Sequence, residues 1–301
     1  MKRNSRIRET SSDRITGIII YAMLFIIGVV MLYPIWFVII ASISDPIAVN
    51  SGDVVFLPIG FQLEGYSNIL RNEWILIGYR NSLIYAFFGT LFSLTLTFPA
   101  GYVLSRKDVF GHKLITLYLL ITMFFNGGLI PTFLVVRDLN LLDRPFTLII
   151  LGAVSVFNII LCRVYIQSSI PGELQEAARI DGCSDFGILF KIILPLSAPI
   201  LAVLALFYGM ARWNDFFTAL IYISTRQYNP LQIFLREILI QNAQFDVRRD
   251  IADLAAAAER ARLAQVMRYG LVVVSSLPML ILYPFVQRYF VKGVMIGALK
   301  G

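Results

Sequence analysis

From Ile15 to Ile43 the chain carries no Asp, Glu, Lys or Arg. A helix needs roughly 20 apolar residues to cross about 30 Å of hydrocarbon, so this run is long enough to span a bilayer. The amphipathic helix of a water-soluble domain returns to polar residues at every turn, and this run does not. Five further stretches are comparably apolar, with Arg163, Arg212, Asp215 and Arg288 as their charged residues: Asn81 to Leu104, Leu114 to Val136, Phe146 to Gln167, Pro195 to Ser224 and Tyr269 to Val291. With 58% hydrophobic and 15% charged residues, a single aqueous core cannot hold the chain. A barrel would show short alternating segments instead of continuous runs. The expected fold is therefore an all-α membrane protein with six transmembrane helices. The first run follows a basic tail, yet it exceeds the apolar region of about 7 to 15 residues in a cleavable signal, and it reads as a retained span. The third run is interrupted by Asn126-Gly127-Gly128 and Pro131. Such a break is tolerated at membrane depth only under protein or beside water, which predicts that it faces the protein interior.

Six spans put both termini on one side. Orientation follows the Lys and Arg near the span ends. The tails and the second and fourth loops hold fourteen bases, and the opposite side holds eleven, seven of them in the long fifth loop. That loop runs against the rule, but long loops translocate largely regardless of charge. The reading is a cytoplasmic N-terminal tail (1–14), a six-helix domain (15–291), a cytoplasmic loop at 168–194, an external loop at 225–268 and a cytoplasmic C-terminal tail (292–301). Asp250 to Arg268 is Ala-rich with charges at helical spacing; it is either a solvated helix leading into the last span or a docking surface for an external partner. The net charge of +7 is spread over loops and tails, which suits membrane topology and not nucleic acid.

Several chemistries are missing. Cys162 and Cys183 form no metal-ligand spacing, the lone His112 stands in a loop, and no HExxH, GxSxG or nucleotide-cradling GxxxxGK[ST] occurs. The chain is not expected to be an enzyme, to hold a metal or to bind a cofactor of its own. Energetic work would come from a partner.

The most polar stretch of the second half is EAARIDGCSDFGILFKIILP, residues 176–195. Pro171 suits the first helical position and Glu173 the positive end of the macrodipole. A short helix then runs to about Asp181, and Gly182 supplies a left-handed stop. Leu174, Ala177 and Ala178 share one face, while Glu173, Glu176 and Arg179 form a second stripe. Ser184 or Asp185 can cap a following helix, Phe186 to Leu194. The product is a short cytoplasmic knuckle between two membrane helices. By its local chemistry it is either a solvated loop or a docking surface on which paired alanines admit another backbone.

Glu176-Ala177-Ala178, three residues, Gly182, nine residues, Ile192, one residue and Leu194-Pro195 make a spaced pattern that resembles the EAA loop of ABC-transporter permease subunits. Ser169-Ile170-Pro171, Ile180-Asp181-Gly182, Trp213-Asn214-Asp215-Phe216, Gly127-Gly128-Leu129-Ile130-Pro131, Pro230-Leu231-Gln232, Arg236-Glu237-Ile238-Leu239 and the Lys300-Gly301 end extend the likeness. Together they resemble carbohydrate-uptake permeases of the type of the maltose transporter's second permease subunit, within the LplC-like branch, from about residue 15 onward. The resemblance implies the type I ABC importer permease fold in the bacterial inner membrane, with the EAA segment as a cytoplasmic coupling helix. It implies four partners: a second homologous permease subunit, a cytoplasmic ATPase dimer that holds ATP and magnesium, a periplasmic or lipid-anchored solute-binding protein, and an oligosaccharide. Carried over, Glu173, Glu176, Ala177, Ala178, Arg179, Asp181 and Gly182 form the ATPase-coupling site, and Lys300 and Gly301 form a second contact. Members of the branch handle oligosaccharides from complex polysaccharides, so alginate or pectin fragments are the expected cargo. A self-sufficient secondary carrier or channel is the competing reading, and a membrane scaffold is a third.

Arg212, Asn214 and Asp215 lie in the fifth run, where an ionisable group must be paired or face a wet cavity. They are either an internal ion pair or, with Trp213 and Tyr208 stacking on sugar, part of the translocation path. Asn158 and Arg163 in the fourth run raise the same question, and Arg163 can snorkel toward the cytoplasm.

Overall fold

The computed structural model describes residues 11–241, 262, 265–284 and 287. Most of the N-terminal tail, much of the long fifth loop and the C-terminal tail with Lys300 and Gly301 lie outside the described residues. The described chain is helical and without strands: α1 Ser11–Ser42, α2 Pro46–Asn50, α3 Glu64–Arg71, α4 Glu73–Ser105, α5 His112–Phe124, α6 Leu129–Asp138, α7 Pro145–Ile150, α8 Val156–Ser169 and α9 Gly172–Ile180. There follow α10 Asp185–Gly187, which passes through a π-helical turn at Ile188–Ile193 into α11 Leu194–Leu196, then α12 Ala198–Trp213, α13 Phe217–Tyr222 and α14 Leu231–Gln241. The last, α15, is Gln265–Pro284.

Three of these helices are long and apolar enough to cross a membrane: α1, α4 and α15. Two bent pairs raise the number to as many as five. In the third expected span, α5 and α6 meet at 109° across Phe125–Gly128. The break lies where Asn126-Gly127-Gly128 predicted it, with Gly128 at φ +80°. It does not face this chain's interior as expected, because residues 121–131 are all exposed. The fourth expected span is two helices. After α7 the chain turns through Gly152 at φ +71°, and Ser155 caps α8. The fifth bends by 80° between α11 and α12 and breaks again before α13, where the Asp215 carboxylate accepts from Thr218 N.

The chain divides into two compact units. One comprises the chain up to Arg71 together with Ile238–Val274. There Ser42 Oγ bonds Tyr66 Oη at 2.8 Å, Phe37 meets Tyr269 edge to face, and Arg262 pairs with Glu64 at 3.0 Å. Along α1 the apolar side chains from Ile15 to Trp36 stay exposed, an arrangement fit for lipid or a protein neighbour and not for water.

The other unit, Asn72–Glu237 with Ser275 onward, is organised on α4. Asn72 starts that helix eight residues before the expected span by accepting from Trp74 N and Ile75 N. Gly78, Ser82, Gly89, Ser93, Thr97 and Gly101 make a buried stripe of small residues along it. In lipid, where apolar burial drives little association, such a stripe lets backbones approach for close packing. At Gly101 an added β-carbon would lie 2.8 Å from Cys162 Sγ and 3.2 Å from Ile159 O. The core of the unit joins α4, α8, α9, the π-helical turn and α12 through Tyr102, Cys162, Ala178, Ile188 and Leu204.

Candidate coupling site

The segment that the sequence singles out is a helix, a left-handed stop and a second helix. Pro171 is the residue before α9, one position short of the expected first helical place, and Gly172 opens the helix. At its end, Cys183 N donates to Ala178 O at 2.9 Å and Gly182 N to Arg179 O at 3.0 Å. Those two bonds make a Schellman stop, and it requires the φ of +77° that Gly182 adopts. Ser184 Oγ then accepts from Gly187 N and restarts the chain as a helix, so Ser184 is the cap and Asp185 the first helical residue. Gly182 and Ser184 thus each have a local reason to be there.

The two alanines do different work. Ala178 is buried, against the same core that holds Ile188 and Leu189, while Ala177 is exposed. They do not together form the close-approach surface that the sequence suggests. Ile188 and Leu189 are themselves buried in that core. The outward face carries Glu173, Glu176, Ala177, Asp181 and Gly182, all exposed, with Ile180 87% and Phe186 76% exposed. Two bulky apolar side chains held in the open beside two acids form a surface suited to protein docking.

Arg179 leaves that stripe to join an ion cluster. Its Nη2 donates to Asp108 Oδ2 at 2.9 Å. Arg106, just past the end of α4, grips Asp108 with Nε and Nη2 at 3.0 and 2.7 Å and reaches Asp185 with Nη1 at 2.6 Å. The Arg106 and Arg179 guanidinium groups hold the Asp108 carboxyl well below the usual carboxylate range. Hydrogen bonds to Asp108 and Asp185 push Arg106 above its ordinary value. Sequence reasoning missed Arg106 and Asp108, since they stand 79 and 71 positions from their partners in the knuckle.

The residues weighed for the translocation path take up separate positions. Tyr208 is buried, its hydroxyl bonded to Thr97 Oγ1 at 2.6 Å and accepting from Ser155 N at 3.3 Å. Trp213 is buried too; its Nε1 donates to Ser275 O, and its ring meets Tyr79 edge to face. Arg212 Nη1 donates to Leu148 O and Leu151 O at 2.9 and 2.6 Å, capping the end of α7. Those bonds satisfy Nη1, while Nη2 is buried without a hydrogen-bond partner among the described residues. Asn158 is buried, and Arg163 donates to Thr116 Oγ1 instead of snorkelling free. Asn214 is exposed and Asp215 half-buried.

Residues 75–243 match the model of the binding-protein-dependent transport system inner membrane component family, and the chain belongs to that family. It is thus a permease subunit of an ABC importer, with the type I permease fold, and a component of the inner membrane. Among its relatives, the polygalacturonan/rhamnogalacturonan transport system permease protein YtcP of Bacillus subtilis (strain 168) is 35% identical over 289 residues, 96% of this chain and 99% of the relative. Protein LplC of the same organism is 34% identical over 97% of each chain. A chain from the crystal structure of a bacterial ABC transporter involved in the import of the acidic polysaccharide alginate superposes with a TM-score of 0.83 at 35% identity, over 94% of this chain and 99% of that one. The LplC-like branch read from the motifs is borne out. The self-sufficient carrier and the scaffold give way to a binding-protein-dependent permease.

Proposed function

We propose that this permease subunit imports oligosaccharides, with acidic fragments of polygalacturonan or alginate type as its cargo, and that it draws its energy through the knuckle at 171–185. The carrying observation is the build of that knuckle. A water-facing helix is locked on the membrane core by Ala178 and stopped by Gly182, and it presents Glu173, Glu176, Ile180 and Phe186 outward. A cytoplasmic ATPase subunit docking there would move α9 as a rigid lever. Glu173, Glu176, Ala177, Asp181 and Gly182 form this contact in the proposal, with Ala178 and Arg179 holding it from behind, and Lys300 and Gly301 add a second one. Both termini are then cytoplasmic, and 225–268 faces the binding protein. ATP and magnesium stay with the ATPase dimer.

The surface break of the third span supports a second permease subunit. Irregular backbone at membrane depth is not left to lipid, so the exposed stretch 121–131 belongs against a partner or on the wet path. Asn214 and Asp215 are the path candidates whose positions leave them open to solute, and Tyr208, Trp213, Arg212 and Asn158 stand behind as its frame. Acidic cargo is favoured by the names of the relatives and by the external arginines Arg71, Arg80, Arg137, Arg144 and Arg226.

The test is ATP-driven uptake in proteoliposomes holding the whole complex. Gly182→Pro leaves a prolyl ring where the Schellman stop needs an N–H, so uptake should vanish while the complex still assembles. Uptake at the wild-type rate would overturn the assignment of the knuckle.

A further inference from the structure

The long helix α4 is fastened at both ends. Near its start, Asn81 Nδ2 donates to Gln227 O and Asn229 O at 2.7 and 3.0 Å. Tyr85 Oη donates to Tyr228 O at 2.8 Å, and Ser82 Oγ accepts from Leu231 N at 2.9 Å. The segment 227–231 is therefore bonded to α4 through three side chains within about one and a half helical turns. At the other end, Gln167 Nε2 donates to Ser105 O at 3.0 Å, and Arg106 lies over the Tyr102 ring while binding Asp108 and Asp185. Its side chain is only 14% exposed. From Asn81 to Ser105 α4 rises about 36 Å, so it joins two clamps separated by about the thickness of a bilayer's hydrocarbon core.

We infer that Arg106 is a positioning residue that fastens the coupling knuckle to α4, so that displacement of α9 travels along α4 to the external segment 227–231. The inference rests on the reading of the knuckle as the ATPase contact. The knuckle is attached to α8 by chain, and Ala178 lies in the core that also holds Tyr102 of α4. Arg106 adds one charge-assisted bond to Asp185 of the knuckle, and its other two hold Asp108; such bonds are directional where apolar packing lets surfaces slide. Arg179 doubles the link, because its bond to Asp108 ties α9 itself to the same loop.

The experiment uses the full complex with Gln227→Cys as a reporter in a Cys183→Ser background. The rate of labelling by a membrane-impermeant maleimide is compared without nucleotide and after trapping with ATP and vanadate. Trapping should change the rate in the parent complex, and Arg106→Gln should shrink that change by about fivefold, with Arg106→Lys keeping part of it. Asp185→Asn, whose carboxylate is 64% exposed and marginal for folding, should reproduce the loss. An undiminished change in Arg106→Gln and Asp185→Asn, or no change in the parent complex, overturns the role of Arg106. If Gly182→Pro also keeps the full change, the coupling reading of the knuckle itself has failed.

Discussion

At the scale of single residues, Gly182 and Gly101 carry the sharpest demands, for different reasons. Gly182 has open space around it, so its requirement is purely conformational. Gly182→Ala should cost about 1 kcal/mol through the left-handed backbone and lower ATP-driven uptake several-fold, with Gly182→Asn milder. Equal rates for all three would mean that the stop is not needed. Gly101→Leu instead drives a side chain into Cys162 and the α8 backbone, and overpacking of this kind costs about 1 to 3 kcal/mol. Its thermal midpoint in detergent should fall, whereas Gly17→Ala, with nothing within 4 Å, should leave the midpoint unchanged. Gly182 was legible in the sequence because local spacing fixes a helix stop. Gly101 was not, because its demand comes from Cys162, 61 positions along the chain on another helix.

At the scale of elements, the sequence marked what is locally encoded and missed what needs a neighbour. The helix breakers in the third run placed the α5–α6 bend correctly, but which side of the chain covers it depends on packing that periodicity does not contain. The split of the fourth span hangs on Gly152 and Ser155, which within an apolar run carry too weak a breaking signal to outweigh length. Arg212 was legible as costly and not as a cap for α7, since the Leu148 and Leu151 carbonyls come from a different span. The ion cluster of Arg106, Asp108, Arg179 and Asp185 yields the prediction for this scale. Asp108 has a depressed pKa, so its contribution is present in full above the usual carboxylate value of about 4 and is lost only as pH falls through the lower folded value. Arg106 is raised, so its contribution lasts to any pH below its ordinary value. The nucleotide-dependent labelling change should accordingly be flat from about pH 5 to 8. Because Asp108 and Asp185 are half-exposed or more, raising the salt to about 1 M should reduce it. A steep dependence between pH 5 and 8 with no response to salt would remove the cluster from the coupling route.

At the scale of the whole molecule, the proposed function has this permease subunit convert a cytoplasmic push into a change on the external side, with ATP hydrolysis left to a partner. Cargo preference belongs to this scale. Competition assays in the assembled importer should show trigalacturonate or alginate trimer displacing labelled cargo better than a neutral oligosaccharide of the same length. Replacing Arg226, which lies over Trp74 and pairs with Glu237, by Gln should narrow that preference if the external arginines select charge. Equal competition by neutral sugars would leave the importer intact and dismiss acidic cargo. The central claim is more specific: the force enters at α9. Its most direct test is a photo-reactive side chain at Ile180, which is held open to solvent, compared with one at Ile188, which is fully buried. In the assembled complex, Ile180 should cross-link to the ATPase subunit and Ile188 should not. Efficient ATP-driven uptake with no ATPase adduct at Ile180 would contradict the account.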